Sequence, residues 1–192
     1  MGYVIYDKSM SVDGYIAGAN MRVEAGLGDD GERLHDWAFH DEAGRKLIQD
    51  EVAQLGAVIC GRTTYDMSIP HWGPDGPTAS ARVPVFVLSH NVPDDIPEGG
   101  VYTFVDDLES ALARARETAG DRNISVMGAD VGQQFLRAGL VDVISVHLVP
   151  VLFGSGLRMF DDVVDEHVTL ELDQVSGSPH ATHLRYRVVR EG

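Results

Sequence analysis

Hydrophobic positions along the chain fall into two patterns. Short, nearly continuous apolar runs recur at residues 3–6, 57–60, 83–88, 101–104 and 124–127. Such runs predict strands buried on both faces. Between them lie stretches with a helical period. Leu47, Ile48, Val52 and Leu55 share one face of a helix expected over Asp41–Leu55. Leu108, Ala111, Leu112 and Ala115 do the same after Asp106, the expected N-cap, with Glu109 three residues on. A further helix is predicted from Asp130 to Ala138, stopped by Gly139 at C′ with Leu140 closing the cap. The chain then turns to β segments, at 143–152, 167–173 and 183–189. In the last, Leu184, Tyr186 and Val188 alternate with His183, Arg185 and Arg187, the pattern of a strand solvated on one side.

Strand–helix alternation followed by β alone predicts the α/β class, with a mainly parallel sheet, flanking helices and an antiparallel C-terminal edge. No repeat, low-complexity tract or long linker divides the chain, so residues 1–192 read as a single domain. One polar, glycine-rich stretch, from Asp7 to Gly31, is too long for an ordinary connection and reads as a functional loop or lid. It contains "SVDGYIAG" and "GLGDDG". A second loop is expected over "IPHWGPDGPTAS". In open α/β sheets ligands bind beyond the carboxyl ends of the strands. That rule places Gly61–Thr64, Ser89-His90-Asn91 and the Gly128 turn on one rim.

Composition narrows the partners. The 192 residues, 44% apolar and 23% charged, are enough for one filled core. With 30 acidic against 15 basic residues, the net charge of −15 repels nucleic acid and anionic membrane. The longest apolar run, "VISVHLVPVLF", is broken by Ser145, His147 and Pro150 and spans no membrane. The N-terminus lacks the features of a signal peptide, and the lone Cys60 forms no internal disulfide. A cytoplasmic protein acting on a small molecule is expected.

An anion bound by so acidic a chain must be gripped locally. The rim turns supply the means. Gly61 permits close backbone approach, Arg62 brings a planar cation, and Thr63 and Thr64 bring hydroxyls. A helix starting at Thr63 or Thr64 would add free N–H groups. Ser89 and His90 offer a hydroxyl and an imidazole, and Gly128-Ala129-Asp130 leads from a strand into a helix start. One such turn is equally a plain turn with a solvated arginine. Three at successive strand ends fit a long phosphorylated ligand better. The Rossmann and P-loop fingerprints are absent, and "FGSGLRMF" reads as a turn or bulge.

Other chemistry-bearing residues have ordinary explanations. Cys60 sits among apolar strand residues with no evident base. His147 has no carboxylate companion nearby in sequence and reads as structural, and His180 with His183 is weak evidence for a metal. No metal site is expected. The doublets Asp29-Asp30, Asp94-Asp95 and Asp161-Asp162 read as solvated loops. Tyr15 and Trp72 either stack on a flat heterocycle or pin their loops to the body, and Trp37 reads as packing.

The segments "SMSVDGYIAG", "GAVICGRTTYD", "VPVFVLSHN", "VMGADVGQQFL" and "AGLVDVISVHLVPVLFGSGLRMF" resemble the dihydrofolate reductase-like fold, and most closely the riboflavin-biosynthesis reductase (RibD C-terminal domain) family. The resemblance runs over nearly the whole chain. It implies a mixed, mainly parallel sheet of about eight strands, an NADPH-dependent reductase and, often, a homodimer. It further implies that Gly61, Arg62, Thr63 and Thr64 line the cofactor's phosphates, with Ser89 and His90 near the adenosine 2′-phosphate. Gly128, Ala129, Asp130 and Val131 would pass under the pyrophosphate and nicotinamide. "SVDGYIAG" matches the mobile loop over the nicotinamide, with Asp13 nearest the reacting centre. Asp13 is then an anchor or a proton relay if burial raises its pKa; otherwise it forms an Asx-turn before Gly14. Asp41 or Glu42 lies where dihydrofolate reductases hold the pterin by a carboxylate. The chain departs from the family at Ala129, where a further glycine is usual, and at Val143, where an acid is usual. No zinc deaminase pattern precedes the domain. The implied reaction is hydride transfer to a C=N or C=O of a pterin- or riboflavin-precursor-like heterocycle. The alternative is a nucleotide-binding protein of the same fold without turnover.

Overall fold

The structure, a computed structural model, describes residues 1–161 and 167–190. Its strands are β1 (Val4–Ser11), β2 (Tyr15–Ala17), β3 (Leu55–Gly61), β4 (Val85–Leu88), β5 (Tyr102–Val105), β6 (Asn123–Met127), β7 (Val143–Val149), β8 (Leu157–Arg158), β9 (Leu170–Gly177) and β10 (Thr182–Val188). The helices are α1 (Asp36–His40), α2 (Glu42–Ala53), α3 (Arg62–Trp72), α4 (Leu108–Ala119) and α5 (Ala129–Arg137).

Eight strands form one sheet in the order β5-β4-β3-β6-β1-β7-β10-β9, and β2 pairs with β8 apart from it. From β5 to β7 every neighbour is parallel; β10 is antiparallel to both β7 and β9. This is the mixed, mainly parallel sheet with an antiparallel C-terminal edge that the alternation predicts. The carboxyl ends of β1, β3, β4, β6 and β7 therefore share one rim.

The side-chain period of two explains the layers. Ala57 and Ile59 of β3 join Tyr6, Val126, Phe135 and the α4 stripe Ala111, Leu112, Ala115 and Ala119 in the main core. Val58 and Cys60 point the other way, into a second cluster under α3 with Tyr65, Val85 and Val87. A third cluster, Leu34, Trp37, Ala38, Val149 and Ala181, sits under α1 and α2. Each fully buried Val, Ile or Leu contributes about 1.5–3 kcal/mol, so β3, buried from Gly56 to Cys60, anchors the sheet from both sides.

Local signals set the ends. The cap of α4 is Asp107, one residue later than expected, its carboxylate accepting from Ser110 N at 2.8 Å. At the end of α5, Gly139 donates to Leu136 O and Leu140 to Phe135 O, the cap expected from Gly139 and Leu140. Three features differ from the sequence reading. β1 runs on to Ser11, so the polar loop starts later. α3 continues through Pro70 to Trp72, inside the stretch expected as loop. "FGSGLRMF" contains a short strand, β8, which pairs with β2.

Candidate active site

β1 pairs with β6 only from Val4 to Tyr6, whereas its pairing with β7 runs to Ser11. Beyond Tyr6 the β6 side of β1 carries no ladder, and β6 itself turns away at Gly128 into α5. The free edge of β1 and the first turn of α5 thus flank the point where the two strands part.

The two turns that border it touch. Gly128 has φ 93° and ψ 153°, a region only glycine occupies readily, and a Cβ there would lie 2.5 Å from Thr64 Oγ1. A Cβ on Gly61 would lie 2.9 Å from Val131 Cγ2. Both glycines are N-caps, Gly61 of α3 and Gly128 of α5, and neither helix start has a side-chain cap. Two helix starts without side-chain caps thus lie next to each other, and first-turn N–H groups of this kind are able to hold an anion. Ala129 is buried in the main core, so its methyl points away from this approach. Val131 is buried too, Thr63 is exposed, and the Asp130 carboxylate accepts from Gln134 Nε2.

Arg62 is not a free cation. Its Nε donates to Asp66 Oδ1 at 2.7 Å and its Nη1 to Asn91 O at 2.9 Å, which ties α3 to the turn after β4. In that turn the Ser89 hydroxyl donates to Asn91 O and accepts from Asn91 N, while His90 is exposed. Arg62 therefore shapes the Ser89–Asn91 turn through two fixed contacts, leaving Nη2 outside both.

Asp13 does not meet the condition set for a proton relay. Its carboxylate accepts from Ser11 Oγ at 2.6 Å, from Phe153 N at 3.1 Å and from Gly154 N at 2.7 Å. The Ser11 hydroxyl and these amides lower its pKa to about 2, so it stays ionised. Gly14 N meanwhile bonds Ser11 O. Asp13 is an anchor for the chain after β7, nearer to the Asx-turn reading.

Tyr15 is also occupied. Its hydroxyl donates to Gly154 O and accepts from Arg158 Nη2 at 3.0 Å, and the Arg158 guanidinium carbon lies 4.6 Å from the ring centre. It pins the β2–β8 pair and offers no free stacking face. Trp72 lies ten residues along α3 from Arg62, about 15 Å from the rim end of the helix. It packs against the second cluster, as do Ile69, Val101 and Tyr102. This contact is of the kind expected if it pins its segment to the body. Asp41 caps α2, accepting from Ala43 N at 3.0 Å; the Ser178 hydroxyl and that amide hold its carboxyl below the usual range. Cys60 is fully buried, and burial pushes its thiol up to about 12, as an inert core residue requires. Asp162 lies outside the described residues.

The sequence reading missed a polar cluster on the α2 face of the sheet. His147 has two carboxylate neighbours after all: Asp7 from the adjacent β1 and Glu51 from the last turn of α2. His147 Nε2 is 3.3 Å from Asp7 Oδ2, and its Nδ1 is 2.8 Å from Nδ1 of His183, the residue opposite it on β10. His183, expected on a solvated face, is buried. Trp37 stacks on His147 at 4.2 Å and donates from Nε1 to Ser9 Oγ. Burial alone would raise Asp7, but the His147 charge and bonds from His147 and Ser145 bring it below its usual value. Burial works downward on His147, yet Asp7 carries it above the usual imidazole range. Burial and then the Asp7 charge push Glu51 up to about 7. Lys8, also passed over, lies where β1 loses β6, and burial lowers its pKa. The sequence signal for Asp7, Lys8, His147 and His183 is a polar residue inside an otherwise apolar strand; Glu51, on α2, has none.

Comparison with known proteins agrees with this architecture. The family profile described as RibD C-terminal domain matches residues 2–184. The uncharacterised protein YwjB of Bacillus subtilis (strain 168) is 27% identical over 153 residues, covering 79% of this chain and 84% of its own. Among solved structures, a diaminohydroxyphosphoribosylaminopyrimidine deaminase/5-amino-6-(5-phosphoribosylamino)uracil reductase from Thermotoga maritima superimposes with a TM-score of 0.68 at 18% identity, over 98% of this chain and 57% of that one. Dihydrofolate reductase from Enterococcus faecalis, complexed with NADP(H), superimposes with a TM-score of 0.60 at 16% identity, over 97% of this chain and 96% of its own. No helix among the described residues is long and apolar enough to cross a membrane.

Proposed function

This chain belongs to the RibD C-terminal domain family, and from that premise we propose that it is an oxidoreductase that uses NADPH to reduce a C=N or C=O bond of a small heterocycle, pterin-like or riboflavin-precursor-like. The observation that carries the reading is the contact of Thr64 with Gly128, which brings two uncapped helix starts side by side. These residues fit a pyrophosphate: the N–H groups at the starts of α3 and α5 can hold it without any large positive surface. The Thr63 and Thr64 hydroxyls add donors. Ser89 and His90, on a turn fixed by Arg62, stand for the ribose 2′-phosphate side, and Asp130 and Val131 continue the α5 wall.

When bound, the cofactor supplies the hydride; the protein's part is to bind, orient and exclude water. The free edge of β1 from Asp7 to Ser11 would border the reacting ring. Asp13, by holding Phe153 and Gly154, fixes the chain that closes over this end. Asp41 at the head of α2 remains the candidate anchor for the heterocycle. With Asp13 ionised and fully engaged, the proton comes from water or from the substrate's own surroundings.

A second reading, nucleotide binding without turnover, is favoured by the same loss of Asp13 as proton source. One titration separates them. NADPH added to the purified protein should give saturable, blue-shifted emission. Oxidation with pterins, flavins or ribitylaminopyrimidines then marks the reductase, and binding without oxidation marks the binder. No saturable binding discards both. The proposed setting is cytoplasmic. A homodimer through the edge strand β9, which exposes Leu170, Leu172 and Val175, completes the proposal.

A further inference from the structure

We propose that Asp7, Glu51 and His147 form a site for one divalent transition-metal cation, held between the sheet and the last turn of α2. One ligand atom from each residue lies within 4.8 Å of the others. In a tetrahedral site with bonds of about 2.1 Å, ligand atoms stand about 3.4 Å apart. His147 Nε2 and Asp7 Oδ2 are already at 3.3 Å. Glu51, half-buried on a helix, has the side-chain freedom to close the remaining gap.

The second imidazole nitrogen argues for a cation at this place. His147 Nδ1 and His183 Nδ1 at 2.8 Å must share one proton. When His147 donates it, its Nε2 lone pair faces the Asp7 and Glu51 carboxylates and can take a cation; when His183 donates it, Nε2 carries a proton to Asp7, and a metal ion binds by displacing that proton. A proton can bridge Nε2 to Asp7 only; a metal ion engages all three groups at once. A hydrogen-bond partner behind the ligating imidazole, fixing its tautomer, is what metal-bound histidines carry. Trp37, stacked on His147 at 4.2 Å, fixes the ring plane as well.

The ligand types choose the ion. One imidazole with two carboxylates suits zinc, manganese or ferrous iron, and imidazole disfavours magnesium and calcium. Asp7, with a side chain 30% exposed, leaves a path for the ion and for water in the remaining coordination position. The nearby cations do not fill the site: Arg185 is turned to Asp173 at 3.1 Å, and Lys8 leaves β1 on the opposite face by strand alternation. A bound ion would cross-link β1, β7 and α2 and stiffen the centre of the sheet.

The test strips the full-length protein with a chelator and titrates Zn²⁺ or Mn²⁺ by calorimetry, with metal content measured after desalting. One equivalent per chain and a raised melting temperature are expected. Glu51→Gln and Asp7→Asn, each close in shape to the original, should weaken binding by roughly tenfold or more. Exposed His71→Ala should leave it unchanged. Absence of a saturable equivalent in the wild type, or unchanged binding in both carboxylate variants, overturns the proposal. Neither readout involves turnover or NADPH, so the outcome is independent of the reductase reading.

Discussion

Gly128, at the head of α5, and Thr64, in the first turn of α3, are in contact: a Cβ at 128 would stand 2.5 Å from the Thr64 hydroxyl oxygen. The turn after β6 and the first turn of α3 are thus fitted to one another, and any side chain at 128 must separate them. With φ at 93°, alanine there is strained as well, at about 1–3 kcal/mol. Gly128→Ala is therefore expected to lower NADPH affinity by about tenfold or more, read from cofactor fluorescence. Affinity equal to the wild type would remove this turn from the cradle.

Arg62 acts through geometry as much as charge. Lysine keeps the charge but cannot bond Asp66 and Asn91 O together from one planar group. Arg62→Lys should weaken NADPH binding by roughly tenfold, since a charged hydrogen bond contributes about 1.5–3 kcal/mol. NADH should lose less if the Ser89–Asn91 turn serves the 2′-phosphate. Equal losses would mean that Arg62 supports only the pyrophosphate side or the fold.

The Asp13 anchor predicts an acid transition. Its folded pKa of about 2 lies below the ordinary 3.8. Its stabilising contribution is therefore complete above about pH 4 and is lost as the pH falls from about 4 to about 2. The wild-type advantage in melting temperature over Asp13→Asn should be constant above that window and close within it. Parallel curves down to pH 2 would refute the anchor. Proteolysis near Phe153 and Gly154 should also quicken in the variant.

The two tryptophans separate packing from binding. Trp72→Ala removes half-buried apolar surface packed against the second cluster, which costs about 2–4 kcal/mol, and should leave NADPH affinity unchanged in the folded fraction. A loss of affinity larger than twofold would return Trp72 to the site. Trp37→Phe should destabilise by about 1–3 kcal/mol, because Ser9 Oγ loses its buried donor.

Much of the fold was legible. β3 reads as a strand because Ala57–Cys60 must be apolar on both sides, and α5 ends where Gly139 takes φ 65°. The turns at Gly61 and Gly128 were legible for the same reason: a glycine ending a buried run signals a close approach. α3 was less so, since Pro70 and the glycines after it look like loop, while Tyr65 and Trp72 packing on β3 and β4 holds the helix. The site divided in the same way. The glycine turns could be placed from the sequence, whereas the side-chain partners of Asp13, Tyr15 and Arg62 could not.

The chain's own order of residues determined the strand–helix alternation, the caps and the glycine turns, because those depend on neighbours within a few positions. Only the tertiary structure decided what Asp13, Tyr15, Arg62 and His147 do. Asp13 meets Phe153 across 140 residues, and His147 meets Asp7 only because β7 lies beside β1. Hydrophobic periodicity says which face of a strand turns inward. It does not say which polar group waits on the next strand, and here that partner fixes charge, orientation and role.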